Sequence, residues 1–186
     1  KTGKLLSGRI NSKGKKSFRY GTLSASIRLP KTADGLWPAF WMMGDNGKEW
    51  PACGEIDIME MGDKEGIATG TASSRVNTAI HFGKNPASHE QQYHAASVGS
   101  SLQDGGYHTY TLTWEDTLAA ISIDGKLFHS FDIKENPYFH DNFFILFNLA
   151  VGGTFTGITD SGRITALKKG TKATMYVDWI KLTEHN

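Results

Sequence analysis

Three carboxylates lie close together in one short segment of the sequence, at Glu55, Asp57 and Glu60. The residues between them are apolar, as expected for a β-strand with one buried face. Two neighbouring carboxyl groups can divide acid–base work, because burial and repulsion let one stay protonated while the other is ionised. Hydrolysis of a glycosidic bond uses such a pair, about 5–5.5 Å apart when the reaction retains configuration. The segment is therefore the first candidate for an active site.

The three acids can share one face of this strand only if its regular alternation is interrupted once. In a regular strand Glu55 and Asp57 share a face, whereas Glu60 points to the opposite, apolar face. An unpaired carboxylate buried there would cost on the order of several kcal/mol or keep its proton. A β-bulge at Ile58-Met59, with Met59 as the extra residue, returns Glu60 to the face of the other two acids. The alternative is a solvated acidic strand without chemistry, which would more often carry Lys or Thr between the acids.

Four aromatic residues precede the acidic segment, Trp37, Phe40, Trp41 and Trp50. Such rings either pack in a core or stack on the apolar C–H faces of sugars. Trp50 lies in the polar, loop-like segment Lys48-Glu49-Trp50-Pro51, where a ring is harder to bury. We therefore predict that Trp50 faces a ligand.

The elements that must position these residues are short β-strands. Apolar and polar residues alternate from Thr22 to Leu29, which gives one buried and one solvated face. Asp124-Gly125 separates two further runs and is typical of a tight hairpin turn. No apolar period of 3.6 residues lasts three turns, so the pattern predicts an all-β sandwich or barrel. Similar runs occur at 76–82, 107–114, 118–123, 126–133, 143–149 and 173–182.

Composition indicates one globular domain: the 186 residues are 39% hydrophobic and 21% charged. A formal net charge of +1, without a long run of like charges, argues against nucleic acid as a partner. No apolar stretch approaches the about 20 residues that span a bilayer, and residues 1–4 lack the apolar region of a signal peptide. Cys53 is the sole cysteine, which excludes an intrachain disulfide, and we expect it to be buried.

The acidic segment resembles the active-site signature of glycoside hydrolase family sixteen, in the bulged Glu-x-Asp-x-x-Glu version of laminarinases and their relatives. Lichenases of the family carry the shorter version. The resemblance covers almost the whole chain and implies a jelly-roll β-sandwich of two curved antiparallel sheets with a substrate cleft on the concave one. The other matching segments are 7–11, 20–30, 36–42, 50–54, 148–153 and 175–179.

The resemblance also implies roles for individual residues. Glu55 would be the nucleophile, Glu60 the acid/base, and Asp57 the residue that assists Glu55. Trp41 could equally lie in the core. A structural role is the alternative for His81, for which we favour the functional one. The residues that would contact substrate in the cleft are Arg28, Trp37, Trp41, Trp50, His81 and Asn148.

The sequence departs from the family at its beginning. Members usually carry a further N-terminal strand segment before the Ser-Gly-Arg-Ile stretch, and this chain starts just ahead of that stretch. That segment normally supplies part of a calcium site whose C-terminal ligand would match Asp178, although Asp178 could instead be an ordinary strand-end acid. We expect a single catalytic domain over residues 1–186 that lacks this segment, needs no cofactor for its chemistry and binds at most a structural calcium ion.

The function that the resemblance implies is retaining endo-hydrolysis of a laminarin-like β-1,3-glucan by double displacement. Mixed-linkage β-1,3-1,4-glucan and agar-like galactan are alternative substrates, and the near-neutral charge argues against a heavily sulfated one. A non-catalytic β-glucan-binding protein is the alternative from another class, but such relatives typically lose a catalytic glutamate. We expect a secreted monomer that binds β-glucan and neither nucleic acid nor membranes.

Overall fold

The computed structural model of the protein describes residues 5–167 and 171–185, and in this part of the chain it has twelve strands and one α-helix. No helix in these ranges is long and apolar enough to cross a membrane. The α-helix is α1 (Lys64–Thr69), and short 3-10 helices occupy Pro86–Ser88, Pro137–Phe139, Ser161–Arg163 and Thr165–Leu167. The strands are β1 (Gly8–Asn11), β2 (Ser17–Phe18), β3 (Gly21–Arg28), β4 (Leu36–Gly44), β5 (Glu55–Glu60), β6 (Arg75–Phe82), β7 (Glu90–Ser97), β8 (His108–Trp114), β9 (Leu118–Ile123), β10 (Lys126–Asp132), β11 (Phe143–Val151) and β12 (Tyr176–Glu184).

The strands form two antiparallel sheets. One sheet has seven strands in the order β1-β11-β4-β5-β6-β7, with the short β2 also paired to β11. The other has five strands in the order β10-β9-β8-β3-β12. Each sheet turns one face towards a shared apolar core, which confirms the all-β sandwich predicted from the alternating runs.

The core follows the period of two that the sequence shows. In β3 the side chains of Leu23, Ala25 and Ile27 are fully buried, and the intervening polar residues are mostly half-exposed. Phe40 and Ile56 from the seven-stranded sheet belong to the same core cluster. The fully buried Cys53 is also as predicted.

The predicted hairpin turn joins β9 to β10. Asp124 and Gly125 both have positive φ angles, 49° and 76°. Two successive positive φ angles match the twist of the flanking strands, which is why Asp-Gly is favoured at this position. The Asp124 side chain also accepts hydrogen bonds from the Thr109 backbone N–H and from the His108 ring, so it ties the turn to β8.

Two stacked histidines bridge the sheets at one open side of the sandwich. His94 lies on β7 and His129 on β10, which are the end strands of the two sheets. Their ring centroids are 4.4 Å apart with an interplanar angle of 5°, and Phe131 packs edge-on against His129. Burial, together with the neighbouring His94, lowers the pKa of His129.

This pair predicts a specific loss of stability in acid. Because the folded-state pKa of His129 lies below its unfolded value, its stabilising contribution is present above the unfolded pKa and is lost as the pH falls. Replacement by Phe keeps a flat ring on His94 but cannot take up a proton. We expect His129→Phe to lose less melting temperature than the parent between about pH 7.5 and about pH 5.

Thermal unfolding followed by circular dichroism at several pH values measures this difference. His185→Phe, at an exposed histidine, is the matched control and should follow the parent. An equal acid-induced drop in His129→Phe and the parent would show that the stack does not respond to pH.

Candidate active site

The acidic strand begins after a turn that requires glycine. Gly54 has a φ of 82°, which side-chain-bearing residues rarely adopt. A Cβ at this position would clash with the carbonyl oxygen of Tyr138. This turn therefore fixes where β5 starts and places Glu55 as its first residue.

The predicted β-bulge is present in β5. On the β4 side, Asp57 pairs with Trp41 while Met59 pairs with the adjacent Phe40, so β5 has one residue more than its partner. On the β6 side, the register shifts by one residue between Asp57 and Glu60. Ile58 has no pair on either side, so the unpaired residue is Ile58 rather than Met59.

The bulge separates apolar from acidic side chains. Ile58 and Met59 are adjacent in sequence, yet both are fully buried in the core cluster. Glu60 is thereby returned to the outer face of the seven-stranded sheet, where Glu55 and Asp57 also lie. We call this surface the acid face. All three carboxylates lie on it, as the sequence predicted.

The strand register defines what surrounds each acid on the acid face, because directly paired residues point to the same side of a sheet. Glu55 pairs with His81, which in turn pairs with Gln91. The residues that lie side by side with Asp57 across β11, β4, β5, β6 and β7 are, in that order, Leu146, Trp41, Asp57, Ala79 and Tyr93. Those side by side with Glu60 across β1, β11, β4, β5, β6 and β7 are Arg9, Asn148, Ala39, Glu60, Asn77 and Ala95.

His81 contacts two of the acids, as expected for a functional histidine. Its Nε2 lies 3.1 Å from Asp57 Oδ2 and 3.8 Å from Glu55 Oε1. Its Nδ1 lies 2.9 Å from Nε2 of His89. The exposed Trp50 ring lies 4.7 Å from the His89 ring, so Trp50 borders the acids at this end.

Trp37 contacts the third acid. Its indole N–H donates a hydrogen bond to Glu60 Oε1 at 2.8 Å. Its ring stacks on Phe155, with centroids 4.5 Å apart and an interplanar angle of 14°. Trp37 thus positions Glu60, and Phe155 orients the indole that does so.

Trp41 lies on the acid face as a buried ring and does not expose a surface on which a sugar could stack. Its indole N–H donates to Asn148 Oδ1 at 2.8 Å, and the Arg9 guanidinium lies 4.6 Å from the ring centroid. The ring is buried, in a small apolar cluster outside the main core. Its N–H therefore fixes the amide of Asn148, which leaves the Asn148 amide nitrogen for a ligand.

Burial and mutual repulsion keep protons on the acid face at neutral pH. Burial raises the pKa of Asp57 to about 7. Burial, with the Asp57 charge, raises the pKa of Glu55 and of Glu60 to about 8. His81 and a hydrogen bond from Trp50 oppose the rise at Glu55 by favouring its anion. The three acids titrate as a set, so an ionised Glu55 can coexist with a protonated neighbour.

Arg28 is the predicted cleft residue that the structure places elsewhere. It ends β3, in the five-stranded sheet, and its guanidinium lies 4.1 Å from the Tyr176 ring and 5.2 Å from the Tyr107 ring. The expectation that Arg28 lines the cleft is therefore corrected. Alternation correctly placed its side chain on the polar face of its strand, but the strand belongs to the opposite sheet.

Asp178 lies outside the acid face as well. It is exposed, at a bulge in β12 between Val177 and Trp179. Within residues 5–167 and 171–185, the groups of His, Cys, Asp and Glu that could hold a metal ion comprise one set, Glu55, Asp57 and His81, whose ligand atoms lie within 4.8 Å of one another. We assign this set to proton sharing, and calcium at Asp178 stays a prediction.

The structure adds residues that sequence reasoning missed. Tyr93 lies on the acid face with 68% of its surface exposed, two strands from Asp57. Asn77 pairs with Glu60, and its amide nitrogen is buried without a hydrogen-bond partner in the described part of the chain. His89 and Phe155 orient His81 and Trp37. None of these residues lies in a sequence motif, and only strand register and loop packing bring them to the site.

Comparison with known proteins identifies a family that the chain matches over most of its length. The profile of Glycosyl hydrolases family 16 matches residues 2–181. A GH16 protein of a Bacteroides ovatus mixed linkage glucan PUL, in complex with G4G4G3G product, is 65% identical with a TM-score of 0.93. A family 16 endo-glucanase from Bacteroides ovatus in complex with G4G3G-2F-DNP is 64% identical with a TM-score of 0.92. Each alignment covers 94% of this chain and 74% of the other, and together they confirm the jelly-roll β-sandwich.

A relative with a different substrate in its name is also similar. The glucan endo-1,3-beta-glucosidase A1 of Niallia circulans is 35% identical over 191 residues, which cover 95% of this chain. The chain spans 26% of the length of that protein. The chain is therefore similar to relatives named for two different glucan linkages.

The hydrogen bond between Trp37 and Glu60 predicts a change in Glu60 ionisation. Because an N–H donor stabilises the carboxylate, its loss in Trp37→Phe should raise the pKa of Glu60 further. We expect a rise of up to about one pH unit, the scale of one hydrogen bond to a charged group. Phe keeps the stacking on Phe155. Side-chain 13C NMR titration of the glutamate carboxyls, assigned with Glu60→Gln, measures the shift.

Trp179→Phe is the matched control, because this exposed indole lies on β12 in the other sheet. The control should leave the Glu60 titration unchanged. An unchanged titration in Trp37→Phe would contradict the assignment of Trp37 as the residue that positions Glu60.

Proposed function

This chain belongs to glycosyl hydrolase family 16, and we propose that it is a retaining endo-β-glucanase whose preferred substrate is mixed-linkage β-1,3-1,4-glucan. The observation that carries the proposal is the bulge in β5, which places Glu55, Asp57 and Glu60 on one face beside His81. A non-catalytic glucan-binding protein needs no such set of proton-sharing acids.

The proposed reaction proceeds in two steps. The two glutamates share one proton at rest. Glu60 holds it, because His81 and Trp50 favour the anion of Glu55. Glu60 donates this proton to the glycosidic oxygen while Glu55 attacks the anomeric carbon. This step breaks the glycosidic bond and forms a covalent ester between the sugar and Glu55. Glu60, now ionised, then takes a proton from water, and the water oxygen displaces Glu55 to give a product of retained configuration.

The charge on the acid face explains how Glu60 changes role. Formation of the ester removes the negative charge of Glu55, so that an ionised Glu60 meets less repulsion than before. Asp57 lies between the two glutamates, and its Oδ2 is 3.1 Å from Nε2 of His81. We assign to Asp57 and His81 the task of holding Glu55 in place and balancing its charge.

The shape of the acid face suits an internal segment of a polysaccharide. It extends across six strands from β1 to β7, with the acids on a central strand. Trp50 and Tyr93 offer exposed rings on one side, which suits the C–H faces of glucosyl units. On the other side, Trp37 and Asn148 offer a ring and an amide. A chain that crosses this face would be cut within its length.

The linkage preference is supported by similarity. The Bacteroides ovatus protein whose name refers to mixed linkage glucan is 65% identical, against 35% for the Niallia circulans glucan endo-1,3-beta-glucosidase. A laminarin-like β-1,3-glucan, the leading expectation from the sequence, is therefore the second candidate. A formal net charge of +1 favours either neutral glucan over a heavily sulfated galactan.

We further propose that the enzyme acts as a secreted monomer with β-glucan as its partner. A polysaccharide substrate has to be met outside the membrane before cleavage. The acid face includes all three acids within one chain, so the proposed chemistry does not call for a second copy.

We expect Glu55→Gln and Glu60→Gln each to lower hydrolysis of barley β-glucan by at least about a thousandfold while leaving the fold intact, because the amide can neither attack nor transfer the proton. Lichenan, laminarin and agarose complete the substrate panel. Product analysis should show mixed-length oligosaccharides from barley β-glucan and lichenan, less from laminarin and none from agarose.

The outcomes separate the alternatives. Faster release from laminarin than from barley β-glucan would replace the preferred substrate by the second candidate. Binding of glucan without hydrolysis by the parent protein would support the non-catalytic alternative. Near-normal turnover in either glutamine variant, with the circular dichroism spectrum unchanged, would contradict the assignment of these acids.

Deletion of Met59 tests the bulge itself. The shortened strand would again alternate strictly, with Ile58 buried and the second glutamate four residues after Glu55 on the same face. We expect a folded protein of lower melting temperature that keeps part of its hydrolysis of β-glucan, because the face of the acids is preserved. Activity on the substrate panel and a cooperative thermal melt measure the two effects.

A Met59 deletion variant that melts cooperatively but hydrolyses none of the glucans would show that a shared face is not enough. In that case the bulge would be needed for the fine position of Glu60. If the Met59 deletion variant does not melt cooperatively, deletion of Ile58 is the alternative test, because it shortens the strand by the same one residue and leaves Met59 buried.

A further inference from the structure

His89 is held against the site by a closely packed loop. It directly follows the 3-10 helix Pro86–Ser88, whose first turn is capped by the Asn85 side chain. A Cβ on Gly83 would clash with the carbonyl oxygen of Ser88, so the loop packs closely on the end of β6. His89 is half-buried, and its position is set by this loop rather than by the sheet.

The ring of His89 links two site residues by stacking. It lies nearly parallel to His81, with centroids 5.2 Å apart and an interplanar angle of 15°. On Trp50 it packs at 4.7 Å with an angle of 41°. The order Trp50, His89, His81 therefore runs from an exposed ring to the ring that contacts Asp57.

The hydrogen bond between the two histidines restricts where protons can lie. His81 Nδ1 and His89 Nε2 are 2.9 Å apart, so one of these two nitrogens carries a proton and the other accepts it. If His89 donates, His81 is neutral and its remaining proton is on Nε2, facing Asp57 and Glu55. If His81 donates from Nδ1, its Nε2 can carry a second proton towards Asp57, and the acceptor His89 then stabilises the charged form of His81.

The position of the proton between His81 and His89 affects the carboxylates, because His81 lies among charged groups. Glu55, Asp57 and Glu60 face it from β5, and His89 is the titratable group on its other side. A positive His81 favours the anion of Glu55 and opposes the effects of burial and of Asp57. Burial and His81 together lower the pKa of His89, so His89 stays neutral and available as an acceptor.

We propose that His89 is a positioning residue of this active site: its hydrogen bond to His81 Nδ1 supports the charged form of His81, which keeps the Glu55 nucleophile ionised. The inference rests on the proposed function for its activity readout. It also makes a claim about Glu55 ionisation that can be measured without turnover.

Two variants separate the hydrogen bond from the stacking. His89→Phe keeps a ring between Trp50 and His81 but offers no acceptor to His81 Nδ1. His89→Gln loses the ring but keeps an amide that can accept. His129→Phe makes the same exchange at the distant stacked histidine pair and is the matched control.

In His89→Phe we expect the carboxyl titration of Glu55, followed by 13C NMR, to move to higher pH by about one unit, the order of shift that a nearby charge produces. The acidic limb of the pH profile of kcat/KM on barley β-glucan should move in the same direction. At neutral pH kcat should fall by up to about tenfold, because a rise of one unit lowers the ionised fraction of Glu55 by up to that factor, with KM little changed. His89→Gln should recover most of both effects, and His129→Phe should match the parent.

Other outcomes would overturn the inference. A raised KM in His89→Phe with an unmoved Glu55 titration would make His89 a sugar contact. A lower melting temperature with an unmoved titration would make it a structural loop residue. If the parent hydrolyses no glucan, the proposed function fails, yet the Glu55 titration in His89→Phe still decides the claim about His89.

Discussion

The structure of this site depends on one constraint, that a carboxylate cannot lie unpaired in an apolar core. A regular β5 would direct Glu60 between the sheets, among residues such as Ile56 that are fully buried. The unpaired Ile58 removes that conflict, because both Ile58 and Met59 then face the core and Glu60 faces outward. One extra residue thus satisfies the hydrophobic core and gathers the acids on one surface.

The gathered acids repel one another, and the surrounding contacts decide how the protons are divided. Burial raises the pKa of all three, which favours retained protons at neutral pH. His81 beside Asp57 and Glu55, and Trp37 beside Glu60, favour the anions at defined atoms. Catalysis by the proposed route needs this imbalance, with one acid charged and another protonated at the same pH. The rings of His89 and Phe155 contribute to this division of protons, because they stack on His81 and Trp37 and hold them beside the acids.

Sequence alone predicted most strands, an all-β sandwich or barrel, the bulge and the shared face of the acids, because these follow from a period of two. The runs of alternating residues did not include β1, β2, β4 or β7. It could not predict which sheet a strand joins, and this is why Arg28 was placed in the cleft although β3 belongs to the opposite sheet. Tyr93 was missed because no alternating run identified β7, and Asn77 was missed because its place beside Glu60 depends on the register of β6 against β5. His89 depends on loop packing, which leaves no periodic signal in the sequence.

The central claim is that Glu55 is the nucleophile of a double displacement. The most direct measurement is mass spectrometry of the protein after reaction with an oligoglucoside that carries fluorine at C2 and a dinitrophenolate leaving group. Fluorine at C2 slows both formation and breakdown of the covalent intermediate, whereas the good leaving group speeds formation alone, so the intermediate accumulates. We expect a mass increase equal to one 2-fluoro-oligoglucosyl group, which is the reagent less dinitrophenol, located by peptide mapping on Glu55. An adduct on Asp57 or Glu60, or hydrolysis of the reagent to a product of inverted configuration, would contradict it.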